Sequence, residues 1–174
     1  MSKQVTAAGA ALAAIVDANK KLTAVVERLA FFTAKLYRRY RHNNTEAESI
    51  YDRKSTERAH CPYSKFAVGA ALLTEDGNIV QGANVENASY GLTICGERSA
   101  ICAAVVQGHR HFSAIAVVTD VGDDFGTPCG ACRQVLAEFS MDMEVYLAQM
   151  SGKYIKTTMK KLLPAAFTPD KLNI

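Results

Sequence analysis

Two short stretches of the sequence carry side chains that could bind a metal ion and perform chemistry beside it. Cys129 and Cys132 have the C-x-x-C spacing with which two thiolates bind one zinc ion from the start of a helix. Cys95 can supply a third thiolate, which leaves a fourth tetrahedral position open, as in catalytic zinc sites. Glu97, two residues after Cys95, can lie beside the metal without binding it. The spacing predicts one catalytic Zn²⁺ per chain with a carboxylate for proton transfer.

The residues around these cysteines are suited to tuning the metal. Both stretches are predicted to begin helices, where the positive end of the helix dipole favours a thiolate over a thiol. Three thiolates give a zinc site a net negative charge. Arg98 and Arg133, which follow Cys95 and Cys132 closely in sequence, are predicted to compensate that charge from the second shell of the metal.

The alternative is a redox-active C-x-x-C or a structural zinc site with four thiolates. Cys102 lies two helical turns after Cys95 and is better suited to the core, whereas spacing alone leaves Cys61 open as a fourth ligand. Glu97 favours the catalytic interpretation, because a structural zinc has no use for a free carboxylate.

Hydrophobic periodicity predicts the elements that must position these residues. Helical spacing changes to short apolar runs after Pro62, and a D-G pair separates the first two of those runs. The predicted elements are helices over 5–41 and 45–59, strands over 66–73 and 79–85, a helix over 97–107, a strand over 114–119, a helix over 129–139, strands over 144–148 and 154–158, and a short helix over 160–163. This order predicts an α/β fold, a three-layer αβα sandwich with a mixed sheet of about five strands.

Composition limits the class of protein. The chain has 174 residues, enough for one domain with a core, and it lacks a run of 18 apolar residues that would predict a membrane span. Residues 1–60 carry 11 Lys+Arg against 6 Asp+Glu, or +5, while residues 61–174 carry 9 against 11, or −2. The part with the cysteines therefore has no strong positive field, which makes nucleic acid an unlikely partner.

The cysteine count and the first residues bear on the compartment. Five cysteines are an odd number, and Met1–Gly9 lacks the basic start and apolar block of a secretory signal. We therefore expect metal ligands and free thiols rather than a disulfide framework, and a cytoplasmic protein.

The N-terminal part admits several interpretations. Residues 1–44 are predicted to form a helical extension and residues 45–174 the catalytic domain. The basic, amphipathic helix over 5–41 could pack on the domain or on a partner subunit, act as an organellar transit segment, or bind nucleic acid or a membrane surface. Its role stays open at this point.

Residues 61–168 resemble the small homotetrameric cytidine deaminases of the three-cysteine zinc type. The resemblance rests on a set of short motifs that occur in the same order and with the same spacing. These motifs are Cys61-Pro62-Tyr63-Ser64-Lys65-Phe66, Val68-Gly69-Ala70-Ala71, Asn84-Val85-Glu86-Asn87-Ala88, Cys95-Gly96-Glu97-Arg98, Pro128-Cys129-Gly130-Ala131-Cys132-Arg133-Gln134 and Leu162-Leu163-Pro164 with Phe167. They cover close to two thirds of the chain.

The resemblance implies an activity and a substrate site. The activity is zinc-dependent hydrolytic deamination of cytidine and deoxycytidine to the uridines with release of ammonia, a step of pyrimidine salvage, with Glu97 as the catalytic acid and base. Asn84 and Glu86 would bind the ribose 3′-hydroxyl, and Phe66 would pack against the pyrimidine. A further set would reach the active site of a neighbouring subunit in a homotetramer: Ala88, Tyr90 and Phe167.

Two other activities fit the same motifs less well. One is deamination of another small aminopyrimidine compound such as blasticidin S, against which Asn84 and Glu86 argue because they suit a ribose. The other is a nucleic-acid-binding or editing deaminase, which would need aromatic and basic side chains for strand binding around the zinc motifs. Neither the sequence nor the resemblance predicts a preference between cytidine and deoxycytidine.

Overall fold

The computed structural model describes residues 59–119, 121–149, 151 and 153–172. Short elements alternate along this part of the chain. In order they are β1 (Val68–Thr74), β2 (Ile79–Ala83), a 3₁₀ helix (Tyr90–Leu92), α1 (Gly96–Val106), β3 (Phe112–Thr119), α2 (Gly130–Ala137), β4 (Glu144–Gln149), β5 (Tyr154–Thr158), α3 (Met159–Leu162) and a second 3₁₀ helix (Pro169–Leu172). Among these described residues, no helix combines the length and the apolar character needed to cross a bilayer.

The five strands form one mixed sheet in the order β2-β1-β3-β4-β5. The strand β3 is its middle member, antiparallel to β1 and parallel to β4, and β5 is antiparallel to β4. Seven of the eight residues of β3 are buried, as its continuous apolar run predicts for a central strand. The α/β class and the five-stranded mixed sheet are confirmed.

The strands β1 and β2 are joined by the predicted D-G turn. Gly77 has φ +86°, a conformation that glycine adopts without steric cost. The turn is closed by the backbone N–H of Thr74, which donates to the carbonyl of Asn78 at 3.0 Å. This antiparallel hairpin is the first pair of strands in the sheet.

The two faces of the sheet carry different side chains. The face that the described helices cover holds the larger cluster, in which Ala100, Ile101 and Ala104 of α1 and Leu136 of α2 pack against alternate residues of the strands. The opposite face holds a smaller cluster: Ala71, Ala114, Ala116 and Tyr146. The helices predicted before residue 59 and the predicted domain boundary at 44 lie outside the described residues.

Glycine at position 82 lets α1 approach the sheet unusually closely. A Cβ atom on Gly82 would lie 2.3 Å from the backbone nitrogen of Ala100 and 2.5 Å from the carbonyl oxygen of Gly96. Both neighbours are backbone atoms of α1, so no side-chain rotation could relieve the overlap. The start of α1, which carries Cys95 and Glu97, therefore lies directly against β2.

Two of the strand boundaries that differ from the prediction lie next to the candidate site. The strand β1 begins at Val68 rather than at residue 66, because residues 66 and 67 pair with no strand of the sheet. The carbonyl of Phe66 accepts from the Asn84 side chain instead. The strand β2 ends at Ala83 rather than at Val85. Beyond Ala83, the backbone of Val85 pairs with Ile94 and His60 instead of with β1.

Candidate active site

Three cysteine side chains converge where two helices begin. Cys95 and Cys129 are the N-cap residues of α1 and α2, and Cys132 is in the first turn of α2. The Cys129 sulfur lies 3.9 Å from the Cys95 sulfur and 3.5 Å from the Cys132 sulfur, and all three lie within 4.8 Å of one another. Tetrahedral zinc with bonds of about 2.3 Å to sulfur requires ligand sulfurs about 3.8 Å apart. The three thiols therefore fit one Zn²⁺.

The local environment shifts the pKa values of two of the thiols in opposite directions. Burial opposes ionisation of Cys129, but its pKa is lowered because the backbone N–H groups of Cys132 and Ala131 and the two neighbouring thiols bond to its sulfur. The pKa of Cys132 is raised, first by burial and then by the negative charge of Glu97. Ionised thiols and the Glu97 carboxylate would repel one another at this short range. A divalent cation bound between the thiols would relieve that repulsion. The chemistry of these donors fits a soft, divalent metal ion.

Glu97 is buried in the first turn of α1, with 4 % of its surface exposed. Its Oε2 atom is one of only three buried side-chain polar atoms without a hydrogen-bond partner in the part of the chain that the structure describes. Such an atom costs about 1–3 kcal/mol of desolvation, so its retention indicates a partner that arrives with metal, water or substrate. Glu97 and Cys95 both line the same cavity.

The two arginines next to the cysteines make different contacts. The Nη2 atom of Arg98 lies 3.3 Å from the Cys95 sulfur and donates to the carbonyl of Thr93 at 3.1 Å. The hydrogen bond with Cys95 raises the pKa of the Arg98 guanidinium. Arg98 can therefore offset thiolate charge directly.

Arg133 bonds to backbone oxygens instead. Its Nε and Nη1 atoms donate to the carbonyls of Pro128 and Leu162 at 2.7 and 2.9 Å, and its Nη2 atom donates to the Thr127 hydroxyl at 3.2 Å. Arg133 therefore ties the loop before Cys129 to α3, which differs from the predicted contact with the ligands.

A cavity of about 410 Å³ opens beside the cysteines, mostly apolar with a few polar groups. Small-molecule sites have this character and volumes of roughly 300–1,000 Å³. Its walls come from the loop before β1, the ends of β2 and β3 and the loop before α2. The lining residues are Ser64, Phe66, Val68, Asn84, Glu86, Thr93, Cys95, Glu97, Val117, Thr119, Val121, Gly126, Thr127 and Cys129.

Asn84 lies in this cavity and also holds its wall together. The Oδ1 atom accepts from the backbone N–H of Val68 at 3.0 Å, and the Nδ2 atom donates to the carbonyl of Phe66 at 2.8 Å. The side chain is 6 % exposed. The position of Phe66, whose ring is on the cavity wall, thus depends on the amide that was predicted to bind the sugar.

Glu86 is bound to the same loop from the other side. Its Oε2 atom accepts from the backbone N–H groups of Tyr63 and Ser64 at 2.9 and 3.2 Å, and its Oε1 atom accepts from the Ser64 hydroxyl. The Ser64 hydroxyl, followed by these N–H donors, holds the pKa of the Glu86 carboxyl below its ordinary value. Glu86 is therefore an anchored carboxylate at the mouth of the cavity.

Three predicted site residues lie outside this cavity. Tyr90 and Phe167 are 73 % and 57 % exposed, and Ala88 is exposed as well. The Tyr90 ring packs against that of Tyr63 at 5.7 Å, and the Phe167 carbonyl accepts from Gln134 at 2.7 Å. Within one subunit, these three side chains do not line the cavity.

Ser64 and Thr119 were not among the predicted site residues. Ser64 stands in the same short segment as Phe66, but its bonds to Glu86 join residues 22 positions apart, which no local pattern reveals. Thr119 ends an apolar strand, and its buried Oγ1 atom lies without a partner beneath the backbone of Gly126. Thr119 could have been predicted as a site residue from the sequence, because it is a polar residue at the end of a strand that is otherwise apolar.

Comparisons with known proteins agree with this geometry. A family model described as the cytidine and deoxycytidylate deaminase zinc-binding region matches residues 44–148. A cytidine deaminase of Sporosarcina psychrophila is 52% identical over 122 residues, which cover 70% of this chain and 89% of that protein. A probable cytidine deaminase of Dictyostelium discoideum is 48% identical over 132 residues, or 75% of this chain and 89% of that protein.

Solved structures and a more distant relative extend the comparison. The crystal structure of cytidine deaminase from Burkholderia pseudomallei superposes with a TM-score of 0.61 at 50% identity, covering 64% of this chain and 89% of that one. A blasticidin-S deaminase of Bacillus cereus is 34% identical over 112 residues, which cover 60% of this chain and 79% of that protein.

Proposed function

The chain belongs to the family of cytidine and deoxycytidylate deaminases, and on that basis we propose that it hydrolyses cytidine and deoxycytidine to uridine and deoxyuridine with release of ammonia. One observation carries the proposal beyond family membership. Three thiol sulfurs spaced for one zinc ion and the buried, unpartnered carboxyl oxygen of Glu97 lie at one end of the same cavity. A metal with an open position beside a free carboxylate is suited to hydrolysis.

Cys95, Cys129 and Cys132 would hold one Zn²⁺ per subunit. When bound, zinc supplies Lewis-acid chemistry that makes a water molecule acidic near neutral pH. Glu97 accepts a proton from the attacking water and delivers it to N3 of the pyrimidine ring. The same carboxyl then carries a second proton to the amino group that leaves as ammonia. Burial of Glu97 excludes bulk water from competing for those protons.

The count of free hydrogen-bond donors and acceptors on Asn84 and Glu86 supports a sugar hydroxyl as ligand. One Nδ2 hydrogen of Asn84 is used by Phe66, which leaves one free to donate. Glu86 already accepts three hydrogen bonds, which leaves one acceptor position, on Oε1. One donor and one acceptor suit a single hydroxyl, which both accepts and donates. We assign this hydroxyl to the ribose 3′ position, and the ring of Phe66 to the pyrimidine.

The same proposal includes a homotetramer with shared active sites. Apolar side chains that are exposed in the single chain favour burial against other subunits: Phe66, Tyr90, Leu92 and Phe167. Ala88, Tyr90 and Phe167 would then complete the site of a neighbouring subunit. Light scattering coupled to size-exclusion chromatography should give four chains per particle, and Tyr90→Lys should lower both the mass and the turnover.

The remaining assignments concern the environment and competing substrates. The five cysteines form no disulfide with one another, which favours the cytoplasm over an oxidising compartment. An organellar location would follow if residues 1–41 act as a transit segment. Blasticidin S is the competing substrate, because a blasticidin-S deaminase is a relative. The hydroxyl-binding pair of Asn84 and Glu86 favours the nucleoside.

The decisive experiment follows the ultraviolet absorbance of cytidine with purified protein, together with the zinc content per chain. We expect loss of cytidine absorbance, about one zinc per chain, and loss of activity on chelation that added zinc restores. Cytosine and blasticidin S serve as competing substrates. Bound zinc with turnover of blasticidin S alone would contradict the nucleoside assignment, and a protein without zinc would contradict the metal site.

A further inference from the structure

The hydroxyl of Ser64 stands between two residues assigned to different parts of the substrate. It donates to Oε1 of Glu86, and it accepts from the backbone N–H of Phe66 at 3.0 Å. The bond from Phe66 occupies a lone pair of the hydroxyl and so directs its single proton towards Glu86. Ser64 also lines the cavity.

The contacts of the two Glu86 oxygens differ in kind. Backbone N–H groups of Tyr63 and Ser64 hold Oε2, and these remain whatever side chain stands at position 64. The Ser64 hydroxyl is the one contact to Oε1 within the described residues. Since Oε1 carries the acceptor position that is still open, its direction decides where a ligand hydroxyl must lie.

The backbone around Ser64 is also held by hydrogen bonds that do not involve its side chain. The N–H of Lys65 donates to the carbonyl of Cys61 at 3.1 Å, and Lys65 adopts φ 59°, which non-glycine residues seldom do. The carbonyl of Phe66 is held by Asn84 at 2.8 Å. A substitution confined to the Ser64 hydroxyl should therefore leave these bonds in place, and it should release Oε1 of Glu86 together with the backbone N–H of Phe66.

We propose that Ser64 is a positioning residue for substrate selection: its hydroxyl aims Oε1 of Glu86 at the nucleoside 3′-hydroxyl and so sets the preference for sugars that carry this group. The inference rests on the proposed deamination of cytidine. It predicts that removing the Ser64 hydroxyl matters only for substrates that have the 3′-hydroxyl, because only those use the open acceptor position.

The test compares Ser64→Ala with the wild-type, zinc-loaded protein on cytidine and on 3′-deoxycytidine. We expect KM for cytidine to rise about tenfold, as for loss of a hydrogen bond to a charged group, with kcat changed less than about threefold. KM for 3′-deoxycytidine should change less than about threefold. Ser64→Thr, which keeps the hydroxyl, should restore most of the cytidine preference. Ser113→Ala is a matched control, because Ser113 is exposed and donates to the carbonyl of Leu73 at 3.3 Å.

Two results would overturn the inference. One is an equal rise of KM on both substrates, which would mean that Ser64 supports the loop in general. The other is an effect of Ser64→Ala that is undiminished when Glu86→Gln is already present, because residues that act through one another are not additive.

A second readout does not depend on turnover. Nuclear magnetic resonance titration of the Glu86 carboxyl should show a higher pKa in Ser64→Ala than in the wild type, because the strongest donor to it is lost. An unchanged pKa overturns the inference even if cytidine is deaminated. Absence of wild-type turnover with a raised pKa would instead refute the proposed deamination while preserving the contact between Ser64 and Glu86.

Discussion

The two ends of the cavity are built in different ways. At the metal end, the sulfurs belong to two helix N-caps and one first-turn residue, and Glu97 projects from the same helix start as Cys95. At the end that is proposed to bind the sugar, called the sugar end, Glu86 and Asn84 are held by backbone N–H and carbonyl groups of the loop over 61–68. Regular elements therefore set the geometry of the reacting atoms, and an irregular loop sets the geometry of recognition.

This difference predicts how amino-acid substitutions at each end of the site affect the reaction. Helix starts packed on a sheet keep their geometry when a single surface residue changes, whereas a loop held by a few side-chain hydrogen bonds can be repositioned by one substitution. We therefore expect variants at the metal end to abolish the reaction and variants at the sugar end to alter substrate preference.

The largest effect is expected for Cys132→Ala. The Cys132 side chain is fully buried between the other two thiols, and without it two thiolates remain for zinc. Zinc content measured by atomic emission should fall well below one per chain and deamination should become undetectable. Cys102→Ala is the control and should retain both metal and activity, since Cys102 lies outside the cluster. Cys102 is exposed, so its expected core position was wrong.

The next largest effect is expected for Glu97→Gln. The amide cannot accept the proton of water, so kcat should fall by about a hundred- to ten-thousandfold, while zinc stays bound. Steady-state kinetics and metal analysis on the same preparation provide the measurement. Near-normal turnover would remove Glu97 from its proposed role, and Glu75→Gln, in the exposed hairpin turn, should behave as wild type.

A smaller and more selective effect is expected for Glu86→Gln. The neutral side chain loses a charge-assisted acceptor for the sugar, so KM for cytidine should rise about ten- to a hundredfold with kcat little changed. Asn84→Ala sharpens the comparison, because it also leaves the N–H of Val68 and the carbonyl of Phe66 unpaired. Thermal unfolding should show that Asn84→Ala lowers Tm more than Glu86→Gln does.

The smallest effect concerns pH and the same carboxylate. Hydrogen bonds from Ser64 and from backbone N–H groups lower the pKa of Glu86 in the folded protein below its ordinary value of 4.5. The anchored carboxylate therefore stabilises the fold fully above about pH 4.5, and this contribution is lost as pH falls through the lowered pKa. The Tm difference between wild type and Glu86→Gln should be constant from pH 5 to 7 and shrink below about pH 4.5.

The metal-binding end of the site could be predicted from the sequence, because it depends on the spacing of residues that are close together in the chain. The positions of Cys129 and Cys132 within one helical turn, and of Glu97 two residues after Cys95, are properties of neighbouring residues. The five strands were predicted on similar grounds, since alternation and apolar runs reflect burial on a sheet. For β5 the predicted bounds, Tyr154–Thr158, are those of the structure.

The geometry of the sugar end could be predicted only in part, because its hydrogen bonds join residues that are distant in sequence. The resemblance pointed to Asn84 and Glu86, but their bonds to Phe66 and Ser64 depend on how the loop folds back on β2. Arg133 illustrates the same limit. Adjacency to Cys132 suggested charge compensation, whereas its hydrogen bonds reach Leu162, 29 residues later in the chain.

The contact at Gly82 has a consequence for engineering this scaffold. Because even one methyl group does not fit between β2 and α1, the close packing of these two elements fixes the position of Cys95 and Glu97 from a residue that does not line the cavity. A library that randomises the loop around Phe66 can therefore search for new sugars or bases while the chemistry stays intact. In a library that also randomises position 82, we expect the members with any residue other than glycine there to be inactive, whatever substrate is selected for.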